Sequence, residues 1–287
     1  MKPYMTRRTF LQSAGCATAA SATLLAARPK LEIGVTDWNL NQTGKVEAVA
    51  LAKQLGFDGI QVSLGRKPVD VRLPLADPEI QGKYLAASKA QGIPIDGTCL
   101  DILHINCLKN DALGKKWVAD SIPITQKLNG KIVLLPFFGK CALATQDEMD
   151  YVGDLLRELG PEAEKAGVIL GLENTISAED NMRILDRARS KAVQVYYDIG
   201  NSTNGGFAPS REIRQLGRKR ICQFHFKDNP HYLGEGKIDL VSVLHAISEI
   251  EYRGFANLET DSPSRSVEAD MKRNLAFVRR LMAENRL

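Results

Sequence analysis

The 287-residue chain holds only four histidines, and none of its five cysteines stands in a Cys-x-x-Cys pair. Four imidazoles are few for a site that gathers several zinc ions, and the missing cysteine pairs exclude zinc ribbons and thioredoxin-like redox motifs. The body of the chain lacks any run of 18 uncharged apolar residues, so nothing in it reads as a membrane span. Low-complexity tracts and interdomain linkers are also missing. The length therefore suits one large single-core domain.

The N-terminus differs from the rest. Arg7 and Arg8 stand directly before Phe10 and Leu11, and an Ala-rich run follows to Ala26 and Ala27. A basic segment, a short apolar stretch and a small-residue exit describe a secretory signal. The arginine pair resembles twin-arginine signals, which export folded proteins in bacteria. Residues 1–29 are thus expected to be a leader, residues 30–287 a mature periplasmic domain. Ser13 three places before Cys16, with little apolar sequence ahead of it, argues against a lipid anchor. Residues 1–27 carry Lys2, Arg7 and Arg8 and no acid, so their removal lowers the formal charge from +4 to +1. A nearly neutral domain lacks the basic footprint of a nucleic-acid binder. Four cysteines remain, and buried free thiols are expected, with Cys99–Cys107 the bridge that an oxidising compartment would favour.

From Leu31 onward short apolar runs alternate with segments of helical periodicity. Strand candidates are 31–36, 58–63, 93–98, 131–136, 167–173, 193–198, 221–226 and 255–260; helical stretches include 45–55, 111–128, 147–166 and 268–284. A doubly wound open sheet could alternate in this way. Eight repeats in this length fit a single closed (βα)8 TIM barrel better.

Barrel chemistry sits at the C-terminal ends of the strands. Here the fifth strand ends at Glu173, the sixth at Asp198, the seventh at His225 and the eighth at Glu259. Strand alternation turns Gln223 inward with His225, and Asn257 and Phe255 inward with Glu259. Three converging carboxylates repel one another unless a cation lies between them. Three carboxylates and one imidazole suit Mn²⁺, Mg²⁺, Co²⁺ or Zn²⁺ and leave room for substrate oxygens.

The motifs "LEN", "YYDIGN", "HFKDN", "LGEGKIDL" and "LETD" together resemble the xylose-isomerase-like barrel superfamily, nearest to L-ribulose-5-phosphate 3-epimerases and tagatose-type ketose 3-epimerases. The resemblance implies one divalent cation, Mn²⁺ foremost, held by Glu173, Asp198, His225 and Glu259. It makes Glu173 and Glu259 the catalytic pair on opposite sides of a sugar or keto-sugar. One carboxylate would take a proton α to the carbonyl and the other return it, through a metal-stabilised enediolate. It further implies that Glu179 supports Glu173, and that Asn201 and His231 stand where relatives carry a His and an Arg that orient substrate. Lys227 and Asp228 are expected either to pair beside the site or to touch substrate, and Gly234 and Gly236 to turn the backbone over the mouth. Trp38, Gln61 and His104, near the ends of the first three strands, are candidate sugar contacts, while His245 falls on a helix and reads as structural. Family members often associate, so a homo-oligomer is also an expectation.

Export bears on chemistry. Folding in the cytoplasm shields a weakly binding metal from tighter competitors outside, given the Irving–Williams order. Sugar phosphates are mainly cytoplasmic, which turns the expectation toward free keto-sugars or keto-glycosides. The alternatives are a keto-glycoside lyase using the same metal and glutamates, a metal-dependent phosphodiesterase or endonuclease, and a non-catalytic sugar-binding barrel.

Overall fold

The computed structural model describes residues 31–285; the expected leader lies outside them. The eight strands are β1 (Leu31–Thr36), β2 (Gly59–Ser63), β3 (Ile95–Cys99), β4 (Ile132–Pro136), β5 (Ile169–Glu173), β6 (Val193–Asp198), β7 (Ile221–Phe226) and β8 (Gly254–Leu258). Each pairs in parallel with its neighbours, and β8 returns to β1. That last pairing closes the barrel and rules out the open sheet. Around it run α1 (Glu47–Leu55), α2 (Pro78–Gln91), α3 (Ala112–Lys127), α4 (Gln146–Ala166), α5 (Ala178–Ala188), α6 (Ile199–Asn204), α7 (Pro209–Leu216), α8 (Leu240–Glu249) and α9 (Val267–Glu284). Among the described residues this is one helix more than simple alternation implies, because the connection after β6 carries both α6 and α7.

Local chemistry sets the boundaries. Thr145 and Glu148 form a capping box that opens α4. Gly167 closes it with φ 69°, and Gly56 closes α1 with φ 96°, each in the left-handed region where glycine carries no Cβ penalty. Both then lead within a few residues into the next strand.

The strands build two cores. Outward residues such as Ile33, Val62, Leu135, Leu172, Phe224 and Leu258 pack against the helices. Inward, Cys99, Ile132, Leu134, Tyr196 and Cys222 make a smaller cluster. Beside it lies a polar layer. Gln223 and Asn257 donate to Asp96 Oδ1 at 3.0 and 2.9 Å, and Tyr196 donates to Gln61 Oε1 at 3.1 Å. The inward facing of Gln223 and Asn257 follows the expected alternation.

Two mouth loops are tied together. Cys107, after the 3-10 turn Asp101–His104, forms a disulfide with Cys141 in the turn Gly139–Cys141, with Cα atoms 4.9 Å apart. Lys109 reinforces the tie through Ala142 O and Glu148 Oε1. This corrects the expectation of free thiols at Cys107 and Cys141, and of Cys99 as the partner of Cys107. Cys99 ends β3 pointing into the barrel and stays a buried free thiol, as does Cys222. Among the described residues no helix is long and apolar enough to cross a membrane.

Candidate active site and metal centre

The barrel brings the four strand ends together. Glu173, Asp198, His225 and Glu259 each offer one donor atom, and these atoms all lie within 4.8 Å of one another. Register contributes directly, since Asp198 lies opposite His225 across β6 and β7. His225 is fully buried, its Nδ1 3.1 Å from Glu173 Oε1, 3.5 Å from Glu259 Oε2 and 3.7 Å from Asp198 Oδ2. Burial alone would lower its pKa, but the surrounding charges of Glu259, Glu173 and Asp198 raise it.

Asp198 divides its carboxylate between two tasks. Oδ1 accepts from the Asn201 backbone N–H at 2.7 Å and caps α6. Oδ2 turns into the cluster, buried and without a hydrogen-bond donor. Burial raises the pKa of this acid. An unsatisfied carboxylate oxygen among two glutamates and an imidazole is what a hard divalent cation would satisfy. The donor set fits one metal ion, held by Glu173, Asp198, His225 and Glu259.

Lys227 supplies a charge of its own. Its Nζ lies 2.6 Å from Glu259 Oε2 and 2.9 Å from Asp198 Oδ2, the second a charge contact rather than a hydrogen bond. Burial opposes its ionisation, yet Asp198, Glu259 and Glu173 hold its pKa above the usual lysine value. Burial likewise pushes Glu259 up, but His225, Lys227 and a bond from Trp38 bring its pKa down to about 2. The ammonium thus partly offsets the repulsion that the sequence assigned to a metal alone.

The other expected residues divide. Trp38 Nε1 donates to Glu259 Oε1 at 3.0 Å, and the indole meets the His225 ring edge-on at 5.9 Å. Asn201 Nδ2 donates to Glu173 Oε1 at 3.2 Å. Trp38, Asn201, Lys227 and His104 line a cavity of 370 Å³ that opens over Glu173 and Glu259. Gln61 does not line it: buried in the polar layer, its Oε1 lies 2.8 Å from His225 Nε2. It supports the imidazole from behind, the usual place for a partner that fixes a ligand histidine. Glu179 is exposed on the first turn of α5 and makes no hydrogen bond to Glu173; Asn201 does so instead. His231 is exposed on an adjoining cavity of 310 Å³, which Lys227 also borders. Asp228 does not pair with Lys227; it accepts the backbone N–H groups of Gly236 and Lys237, each at 3.0 Å. Gly234 packs beside Phe277 of α9, and His245 is exposed on α8, 3.3 Å from Asn285 Oδ1.

Arg66, Asp101 and Phe138 are among the cavity residues that escaped the sequence reading. Asp101 stands two residues past β3, where Glu259 stands one past β8, so a similar strand-end signal was present. Phe138, two residues beyond β4, carried no comparable mark.

A family profile described as "Xylose isomerase-like TIM barrel" matches residues 49–281. The chain belongs to that family. It is an enzyme of the sugar isomerase and epimerase kind. The chain is similar to 2-epi-5-epi-valiolone 7-phosphate 2-epimerase from Actinoplanes sp., 24% identical over 200 residues, covering 69% of this chain and 73% of that one. D-psicose 3-epimerase with D-tagatose, from Clostridium cellulolyticum, superposes with a TM-score of 0.74 at 16% identity, covering 88% of this chain and 99% of the other. The 3-keto-D-glucoside 4-epimerase from E. coli gives 0.68 at 19% identity, covering 88% and 100%. At these identities both structures speak to the shared barrel.

Proposed function

We propose that this family member is a divalent-metal-dependent isomerase or 3-epimerase of a non-phosphorylated keto-sugar or keto-glycoside. The carrying observation is the cluster of Glu173, Asp198, His225 and Glu259, with both glutamates bordering the one cavity. A cation bound there, Mn²⁺ by preference, would act as a Lewis acid toward the carbonyl and neighbouring hydroxyl oxygens of the sugar. Glu173 and Glu259 stand on β5 and just beyond β8, separated by the β6 and β7 ligands, so one can remove the α-proton and the other return one to the opposite face. His225, Lys227 and Trp38 hold Glu259 ionised, and Trp38 and Lys227 fix its two oxygens. Asn201 and His225 orient Glu173.

The Actinoplanes relative is named for a phosphorylated substrate, and this reading departs from it on charge. Of the cations lining the cavity among the described residues, Lys227 is already paired with Glu259 and Asp198, which leaves Arg66, with the Asp101 carboxylate acting on it, as the one cationic side chain free to receive a phosphate. An export leader fits the same choice of substrate. A disulfide at the mouth also suits an oxidising periplasm better than the cytosol.

The test is solvent exchange. The Mn²⁺-loaded mature protein, incubated in D₂O with free ketoses and 3-keto-glycosides, should incorporate deuterium at a carbon α to the carbonyl. Glu173→Gln and Glu259→Gln should abolish incorporation. Product analysis then separates epimerisation from elimination of an aglycone. Turnover of pentulose 5-phosphates alone, with no exchange into neutral sugars, would refute the substrate assignment.

A further inference from the structure

The wall of the 370 Å³ cavity built by the loops after β3 and β4 carries features the metal chemistry does not use. His104 and Phe138 border it and stack on one another, ring centroids 6.1 Å apart and planes at 25°. The two rings stand on different loops, after β3 and after β4, and the Cys107–Cys141 disulfide joins those same loops. Lys109 adds its bonds to Ala142 O and Glu148. Three ties thus converge on one stretch of wall. Phe138 is half-buried and lines the cleft with Leu134 and Pro136, an apolar stretch of wall where a phenyl ring gains by covering. Burial and the nearby Arg66 charge lower the pKa of His104, so at neutral pH its imidazole is an uncharged stacking surface. Asp101, held by Ser63 Oγ at 2.6 Å, sets an acid beside the pair.

We propose that His104 and Phe138 form a second subsite, which takes a flat, uncharged ring carried as the glycosidic substituent of the substrate, and that the Cys107–Cys141 disulfide holds this subsite in shape. The assignment rests on the sugar reacting at the Glu173–Glu259 end. Stacking faces suit a ring, whereas the Asp101 carboxylate beside His104 disfavours a phosphate dianion. The disulfide limits how far the two loops can part, so the rings are placed before a ligand arrives, which lowers the ordering cost of binding.

The test compares affinities of three unreactive probes for the Mn²⁺-loaded, disulfide-intact protein by calorimetry: methyl β-D-glucopyranoside, phenyl β-D-glucopyranoside and glucose 6-phosphate. The phenyl glycoside should bind about two- to tenfold tighter than the methyl glycoside, the size of one aromatic contact. Its phenyl protons should receive the strongest saturation transfer from the protein. The phenyl-to-methyl ratio should fall toward one in Phe138→Leu, which keeps bulk but no ring. It should also fall in the Cys107→Ser/Cys141→Ser double variant. Equal affinities in the wild type, or a ratio unchanged in Phe138→Leu, would overturn the subsite. Tightest binding of glucose 6-phosphate, lost in Arg66→Ala, would replace it with an anion site. A ratio unchanged in the double serine variant would overturn the part given to the disulfide. Deuterium exchange read on the same samples keeps the two readings apart. Exchange with no aromatic preference sinks the subsite alone, while loss of exchange together with glycoside binding sinks the reading beneath it.

Discussion

Replacing Lys227 by methionine tests how the acid cluster is held together. The ammonium lies 2.6 Å from Glu259 and 2.9 Å from Asp198, with 16% of the side chain exposed. Methionine keeps most of the stem but leaves those carboxylates facing each other and Glu173. Removing one partner of a buried ion pair costs about 3–5 kcal/mol. In a barrel of this size that is a fall in Tm of roughly 6–20 °C. The loss should be confined largely to protein melted in chelator. With saturating Mn²⁺ the cation takes over the neutralising role, and less than half the loss should remain. By linkage the variant must then bind the metal tighter, by at least about tenfold if 1.4 kcal/mol or more is recovered. Paired melts in chelator and in Mn²⁺, with a competition titration for the metal, read all of this. Equal destabilisation in both states, or weaker metal binding, would show that Lys227 supports the ligands rather than substituting for the cation.

Other consequences are as direct. Burial raises the pKa of Asp96 to about 7 from 3.8, so the folded state favours the neutral acid, and the stability this gives at low pH is lost as pH rises toward 7. Asp96→Asn should therefore gain on the wild type by up to about 4 kcal/mol above pH 7 and little near pH 4, at about 1.4 kcal/mol per unit, as urea melts at the two pH values will show. Trp38→Phe keeps an aromatic ring beside His225 but removes the 3.0 Å bond to Glu259. Exchange should slow by roughly 10- to 100-fold, the worth of a hydrogen bond to a charged group, with metal affinity little changed. Breaking the Cys107–Cys141 link, which closes a 34-residue separation, should cost about 3–4 kcal/mol on chain entropy, measured as the melting difference between oxidised protein and the double serine variant.

The barrel was legible because its signal is repeated. Eight alternations leave few topologies, and residue parity along β7 and β8 turned Gln223, His225 and Asn257 inward as expected. The four-donor cluster was legible for the same reason, since strand ends point to one place. Glu179 was misplaced because a six-residue offset says nothing about which way the first turn of α5 faces. Gln61 was put in the sugar pocket although a glutamine at the middle of a five-residue strand sits a layer deeper than one at its end. Lys227 was seen, but spacing could not tell that its ammonium reaches Asp198 and Glu259 while Asp228 serves a loop. The disulfide was missed because Cys107 and Cys141 are distant in the chain and meet only when the third and fourth mouth loops are adjacent.

Cys99 is eight residues from Cys107 and borders the same cavity as the bridged loops. It is therefore the natural competitor for a wrong pairing. Burial, with Asp101 and the site glutamates nearby, keeps its pKa well above the ordinary thiol value. Attack on a disulfide needs a thiolate, and at neutral pH this residue supplies almost none. Once the barrel has closed, shuffling of the Cys107–Cys141 bond is denied this nucleophile, and the finished fold protects its own covalent connectivity.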